Sequence, residues 1–461
     1  MRQPIQWATA TKDGRSQAAN GSRLVNLYAE KLPPDSKSPV ALYGTPGTAL
    51  FAELPTYPVL GLHRMNDELY AVTPSQLYRV DQFGQYTALG DVDLQGRASM
   101  DDNGQSLVVV DGNRGYVWNG QNVTELSGDG WYSADTVAYQ DGYFIFNRAG
   151  TGQFFVSQLL STEFDPLDFA TAEGAPDDTL AVLSDHRELW VFGQRSIEVW
   201  YNSGDPDFPF ERMQGAFIER GIAARHSAAK LDNSVFWIGE DKVVYRAAGY
   251  QPQRISTHAV EQSLAQSDVS GAFAYTYTEE GHAFYVLTLP NANQTWCFDV
   301  ATGLWHERSH ILWGRHHGNC YARAYGQHLI GDWQKGTVYT MRLEAYTDHG
   351  QAIQRLAVAP PMHDSRQRLT INSLELDMES GVGVSTGQGS NPQARLDWSD
   401  DGGETWSNEH WAEIGQVGRY LTRVIWRRLG SARQRHFRMT ITDPVPVIIM
   451  GAYVETERGR N

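Results

Sequence analysis

The sequence predicts an all-β protein, a β-propeller of about seven blades followed by a C-terminal β-sandwich. Three observations predict it: a composition rich in strand-forming aromatics and turn-forming glycines, a strand–turn–strand unit repeated between residues 60 and 342, and a change of texture after Pro360-Pro361.

The 461 residues include 14 Trp, 22 Tyr and 17 Phe beside 44 Gly and 19 Pro. Aromatic rings fit the pleated, half-buried surface of strands, while Gly and Pro supply turns, so many short strands are expected. Hydrophobic residues at 41% and charged residues at 20% provide a full apolar core and exclude disorder as the main state. At roughly 150 residues per domain, the length allows two or three domains.

The repeat begins with LGLHRMNDELYAVTPSQLYRVD (60–81), ASMDDNGQSLVVVDGNRGYVWNG (98–120) and DTVAYQDGYFIFNRAGTGQFFVS (135–157). It continues with LAVLSDHRELWVFGQRSIEVWYN (180–202), HSAAKLDNSVFWIGEDKVVYRA (226–247), FAYTYTEEGHAFYVLTLPNANQTWCFD (273–299) and NCYARAYGQHLIGDWQKGTVYTMR (319–342). In each unit a polar turn such as Asn66-Asp67, Gln140-Asp141-Gly142 or Asp232-Asn233 precedes an apolar strand, and a second turn precedes another. A turn-to-turn spacing of roughly 36–50 residues fits the four-stranded blades of a propeller. Seven units give seven blades, with six or eight open. A sandwich of eight to ten strands leaves so regular a period unexplained.

The propeller is therefore placed at 58–361 and the sandwich at 362–461, where RLTINSLELDMESG (368–381) alternates as a strand and the Gly-rich run after it reads as a mobile loop. Residues 1–57, with VNLYAEKLPPDSKSPVALYGTPGT, carry few regular signals and are expected to form an extended N-terminal arm that closes or packs on the propeller, or on a neighbouring subunit.

The motifs of common chemistries are absent. There is no G-x-S-x-G elbow, no phosphate-binding G-x-x-x-x-G-K-[ST] loop and no H-E-x-x-H, so no catalytic, cofactor-binding or metal residue is assigned and no cofactor is expected. Cys297 and Cys320 are too few for a disulfide scaffold and read as small core residues. His316 and His317 are adjacent, which on a strand points them to opposite faces, so they read as surface or interface histidines. The carboxylate-rich FDPLDFATAEGAPDD (164–178) reads as a solvated or docking loop rather than an acid/base pair.

Two features of the C-terminal region stand out. Ser399, Asp401, Gly403, Thr405 and Trp406 in SDDGGETW match the S-x-D-x-G-x-T-W pattern of an Asp-box. Its physics is local: the aspartate accepts turn amides, a glycine takes positive φ and the indole wedges beneath the hairpin. Sialidase propellers carry several such boxes, together with an arginine cluster and a tyrosine nucleophile. A single copy outside the propeller points to a structural role. The segment RYLTRVIWRRLGSARQRHFR (419–438) then concentrates Arg419, Arg423, Arg427, Arg428, Arg433, Arg435 and Arg438 without an acidic residue. One account is a solvated face whose arginine stems cover apolar surface. The other makes Arg423, Arg427, Arg428, Arg433, Arg435 and Arg438 candidate contacts to an acidic neighbouring protein or to DNA backbone.

The stretch DHRELWVFGQRSIEVWYNSGDPDFPFERMQGAFIERGIAARHSAAKLDNSVFWIG (185–239) resembles the packaged-DNA stabilisation proteins of short-tailed bacteriophages. VNLYAE and GTPGT near the N-terminus, DPLDFATAEGAPDD, and WRRLGSARQRHFRMTITDPVPV near the end are similar to the same family, so the resemblance spans nearly the whole chain. It implies a late tail-assembly protein, the tail hub or nozzle. Such proteins form a hexameric ring beneath the portal and its adaptor, close the head after packaging and keep the DNA in. They also meet the tail needle or tailspikes and become part of the ejection conduit. The implied location is the virion tail, assembled in the host cytoplasm, and the resemblance transfers no catalytic residue.

Charge is compatible with this role. A formal net charge of −16 gives no general affinity for phosphates, so double-stranded DNA is expected to pass through the channel without sequence-specific binding. No apolar window is long enough for a membrane segment, and the N-terminus lacks a signal-peptide stretch. Two other classes remain: a glycan- or receptor-binding propeller adhesin, marked by an exposed aromatic platform, and a sialidase-like glycosidase, marked by arginines on the propeller axis.

Overall fold

The computed structural model describes residues 2–5, 7–12, 16 and 20–458. Five four-stranded antiparallel sheets follow one another along the chain at 61–91, 99–125, 137–171, 179–218 and 229–254. A sixth set of four, 273–308, is the start of a ten-stranded sheet. The seventh consists of three strands at 318–342 completed by Gly47–Glu53 from the N-terminal region. These are seven blades, and the first strand of the seventh lies against the first strand of the first, closing the circle.

Burial explains why the repeat is legible as short, wholly apolar strands. In the second blade Leu107 and Val109 pack toward the first blade, with Tyr70, Val72 and Leu77. Val108 and Val110 on the same strand pack toward the third, with Phe144 and Phe146. Both faces of each middle strand are buried, so neither carries the polar alternation of a half-exposed sheet. The same pattern recurs around the ring. Separate apolar clusters fill the gaps between blades three and four, four and five, five and six, six and seven, and seven and one. The middle-strand turns need residues that accept the left-handed region, and Asn66, Asp67, Asp141, Asp232 and Asn233 all have φ between 50° and 64°.

Residues 1–57, expected as an extended arm, contribute regular strands to both domains. Leu27–Lys31 and Val40–Gly44 enter one sandwich sheet beside Ile448–Arg458, Leu369–Met378 and Val424–Arg427. Arg23–Val25 enters the facing sheet, between Leu304–Arg308 of the sixth blade and Arg355–Val358. That sheet runs on through Gln434–Ile441 and Gln393–Ser399 to His410–Glu413, so one hydrogen-bonded surface joins propeller to sandwich. The sandwich core accordingly mixes Leu24, Leu27 and Leu42 with Leu374, Trp426, Phe437 and Val454. At the junction Arg23 donates to both Glu307 oxygens, at 2.8 and 2.7 Å, and the Asn26 amide bridges the carbonyls of Ser309 and Gln354.

The carboxylate-rich segment read as a loop is in its first half a strand. Phe164–Thr171 is the outer strand of the third blade, and the reason is apolar: Phe164 lies 5.2 Å from Trp131 and Phe169 is packed against the same cluster.

Candidate functional site

The first strands of all seven blades surround a cavity of about 350 Å³ on the propeller axis. Arg97 lies across it, its guanidinium 3.8 Å from the centre of the Phe273 ring and bonded to Asn319 Oδ1 at 3.3 Å. Burial lowers this guanidinium's pKa to about 10. Arg225 pairs with Asp135, and Lys230 donates to the Ser184 carbonyl at 3.0 Å. His226 is pushed down to about 3, first by burial and then by Arg97 and Arg225, so it stays neutral. The acidic groups are Asp101, whose carboxylate accepts the Tyr139 amide at 2.7 Å, and Asp102, 2.6 Å from His63 Nε2. Asp101 is raised, chiefly by burial.

Two consequences follow. The axis carries cations and anions together, and its side chains leave a cavity of only about 350 Å³. A duplex, whose major groove alone is about 12 Å across, does not fit through it. The axial arginines also do not form a free cluster: one is committed to Asp135 and the other to an aromatic face and a neighbouring strand. Tyr275, the aromatic hydroxyl beside them, is raised by burial, the opposite of what an activated nucleophile needs. Sequence gave no sign of this group, because its members come from seven strands spread over 260 residues and share no motif.

The Asp-box residues form one closed turn. Asp401 accepts the Thr405 amide at 3.0 and 3.1 Å, the Thr405 hydroxyl at 2.5 Å and the Ser399 hydroxyl at 2.7 Å. Those bonds hold its carboxyl well below the usual range, with Thr405 the largest cause. Gly402 and Gly403 have φ of 85° and 101°, and the Gly403 amide donates to Ser399 Oγ at 2.8 Å. Trp406 is half-buried over Val25, Leu356 and Val358, on the sheet that joins the domains. The box thus buttresses the junction.

The arginines of 419–438 do not make one face. Arg435 is 2% exposed, holds both Asp400 oxygens at 2.7 Å, reaches the Leu429 carbonyl and stacks on Trp398, so it is a core strut and not a surface contact. Arg438 bonds Asp397 and covers the Trp406 ring at 3.9 Å. Arg433 donates to the Arg366 carbonyl at 2.9 Å. Arg423 pairs with Glu375, whose pKa it lowers, and Arg2 bonds the same carboxylate at 2.9 Å. Arg427 and Arg428 are exposed beside that pair, lining a shallow cavity of about 440 Å³ with Arg2, Arg423 and Tyr453. Next to it a larger groove of about 820 Å³ runs past Lys37, Tyr420 and Leu421. Tyr420 and Leu421 are 71% and 95% exposed.

His316 and His317 also depart from expectation. Both are 2% exposed and their rings stack at 4.7 Å. They sit in the connection before Gly318–Ala324, where strand alternation does not apply, and blades six and seven bury them together. Cys297 and Cys320 are free and buried.

These features define the class: a propeller-plus-sandwich protein whose polar clusters brace the fold and whose sandwich sets exposed arginines beside the exposed apolar side chains of Tyr420 and Leu421. Two family models match the chain, one described as the β-propeller of bacteriophage P22 Gp10 over residues 13–346, the other as its β-sandwich over 354–457. The chain belongs to this family of packaged-DNA stabilisation proteins, and is a structural protein of a bacteriophage virion. No curated protein matches it. Among solved structures it is similar to the computationally designed Ika8 protein, with 15% identity, 70% of this chain and 99% of that chain covered, and a TM-score of 0.39. BamB from Moraxella catarrhalis gives 10%, 69%, 97% and 0.42, and YCF48 from Cyanidioschyzon merolae 11%, 65%, 100% and 0.43. Among the described residues no helix is long and apolar enough to cross a membrane.

Proposed function

We propose that the chain is the tail hub or nozzle of a short-tailed phage: a homo-oligomeric, hexameric ring that closes the portal-adaptor channel, retains packaged DNA and later forms part of the ejection conduit. The observation that carries this reading is the family match, which runs through propeller and sandwich alike. Two physical facts support it. The propeller axis holds a cavity of only about 350 Å³, so DNA in such an assembly passes between subunits and not through one. The chain's net charge of −16 leaves a lumen lined by its acidic surface without the counterion release that makes DNA stick.

The sandwich supplies the partner surface. Exposed Arg427 and Arg428 beside the apolar tip of Tyr420 and Leu421 combine the residue types that interfaces favour. Adaptor, tail needle and tailspike or fibre proteins are the partners in this reading, and the protein has no catalytic role. Particles assembled without this chain test it. The expected result is heads that package DNA and then lose it. Stable, full, infectious particles lacking the chain would overturn the reading.

A further inference from the structure

We propose that His310, His317 and Asp348 bind one zinc-class transition-metal ion, which pins the closing strand of the propeller. Each of the three offers a ligand atom, and these atoms lie within 4.8 Å of one another. All three residues are buried, at 3%, 2% and 4% exposure. His317 Nε2 has no hydrogen-bond partner, an arrangement that costs free energy in an interior unless something takes it up. Burial keeps both imidazoles neutral, as ligands must be, while Asp348 rises only to about 6 and so is mostly carboxylate at neutral pH.

The donor set selects the ion. Two imidazoles and one carboxylate with a fourth position open suit zinc and its neighbours, whereas calcium and magnesium need more oxygens. The charged surroundings set a further condition. Arg308 and Arg355 face Asp348, while Arg308, Lys335 and His349 act on His317. Asp332 and Lys335 act on His310 with opposite signs. Those guanidiniums repel any dication, so only an ion whose bonds to imidazole nitrogen outweigh the repulsion is held there, which disfavours a hard ion bound by charge alone.

Metal–ligand bonds of about 2.0–2.2 Å require the three donors to draw together by roughly an ångström. The slack is in the connection between blades six and seven, where Ile311 and Leu312 are 43% and 65% exposed. One bond there must break. The Leu312 amide donates to His310 Nδ1 at 3.2 Å. Ligation through Nδ1 takes that lone pair, and ligation through Nε2 puts the proton on Nδ1, so either mode releases the amide. The mechanical result is specific. Asp348 pairs in parallel with Thr48 of Gly47–Glu53, the strand that completes the seventh blade. The ion thus fastens the blade six–seven connection to the segment that holds the closure.

The test uses the full chain, stripped by chelator dialysis and titrated with zinc chloride and, separately, cobalt chloride. The expected result is one ion per chain by elemental analysis, a tetrahedral cobalt absorption, a Tm raised by a few degrees and faster exchange of the Leu312 amide. His317→Ala and Asp348→Asn are each expected to weaken binding at least tenfold, with circular dichroism confirming that both remain folded. Asp348→Asn keeps the shape of the site and guards against misfolding. Sub-stoichiometric binding, equal binding by either variant, or an equal response to magnesium would overturn the proposal.

Discussion

Closure of the ring by Gly47–Glu53 predicts that two positions of one strand, two residues apart, respond very unequally to the same substitution. On an unbroken strand residues two apart share a face. Here a bulge intervenes: Ala52 pairs with Val338 and Leu50 with Tyr339, leaving Phe51 as the extra residue. Ala52 therefore faces the interior between the seventh and first blades, at 3% exposure with Val59, Leu69 and Val338, whereas Leu50 is 46% exposed. In Ala52→Asp the introduced carboxyl falls in that apolar cluster. Keeping it protonated at pH 7, against an ordinary pKa near 3.9, costs about 4 kcal/mol, and desolvation of the neutral acid adds to that. This is a large share of the ~5–15 kcal/mol that stabilises a typical domain. Leu50→Asp is expected to stay within about 0.5 kcal/mol of wild type. Urea denaturation of the isolated protein reads both. The sign with pH is fixed: the folded pKa of the introduced group is raised, so the ionisation part of the penalty is absent below pH 4 and grows as pH rises, and only the cost of desolvating the neutral acid remains in acid. Equal effects of the two substitutions, or a penalty independent of pH, would refute the assignment of this strand to the propeller.

The remaining predictions concern sandwich and buried charges. Arg435→Ala should cost roughly 2–4 kcal/mol, because it leaves the Leu429 carbonyl unbonded and removes packing on Trp398. Arg427→Glu with Arg428→Glu should leave the denaturation midpoint unchanged and abolish attachment to assembling particles, read by sedimentation. Trp406→Ala should cost about 2 kcal/mol and increase proteolysis at the domain junction, since the indole packs on Val25, Leu356 and Val358. Asp348→Asn in metal-free protein should raise stability at pH 7 by about 3 kcal/mol, from a folded pKa near 6 against an ordinary 3.9. Its raised pKa means that wild-type stability from this group is lost as pH climbs from 4 to 6, so the difference between the two proteins should vanish below pH 4.

The seven blades were legible in sequence because each middle strand is buried on both faces between polar turns that need positive φ, and such turns announce themselves. The closing strand was not, since Gly47–Glu53 pairs with Thr337–Arg342 at the far end of the propeller and GTALFAE contains no turn or period of its own. The Asp-box was readable from eight consecutive residues, because its bonds are local. The arginine segment illustrates the converse. Arg435 and Arg438 are answered by Asp400 and Asp397 near the end of an adjacent strand, about forty residues earlier, so a run that looks uniformly basic divides into struts and exposed charges only when register is known. His317 needed tertiary structure for the same reason: its neighbours are His310 in a connection and Asp348 beyond the seventh blade.

Electron microscopy of purified virions, with the chain's copy number measured by mass spectrometry, tests the proposed role most directly. The account predicts six copies arranged as a ring beneath the portal and adaptor, with DNA density between subunits and none along any propeller axis. Particles in which the chain is missing, or in which it stands as isolated monomers away from the DNA exit, would contradict it.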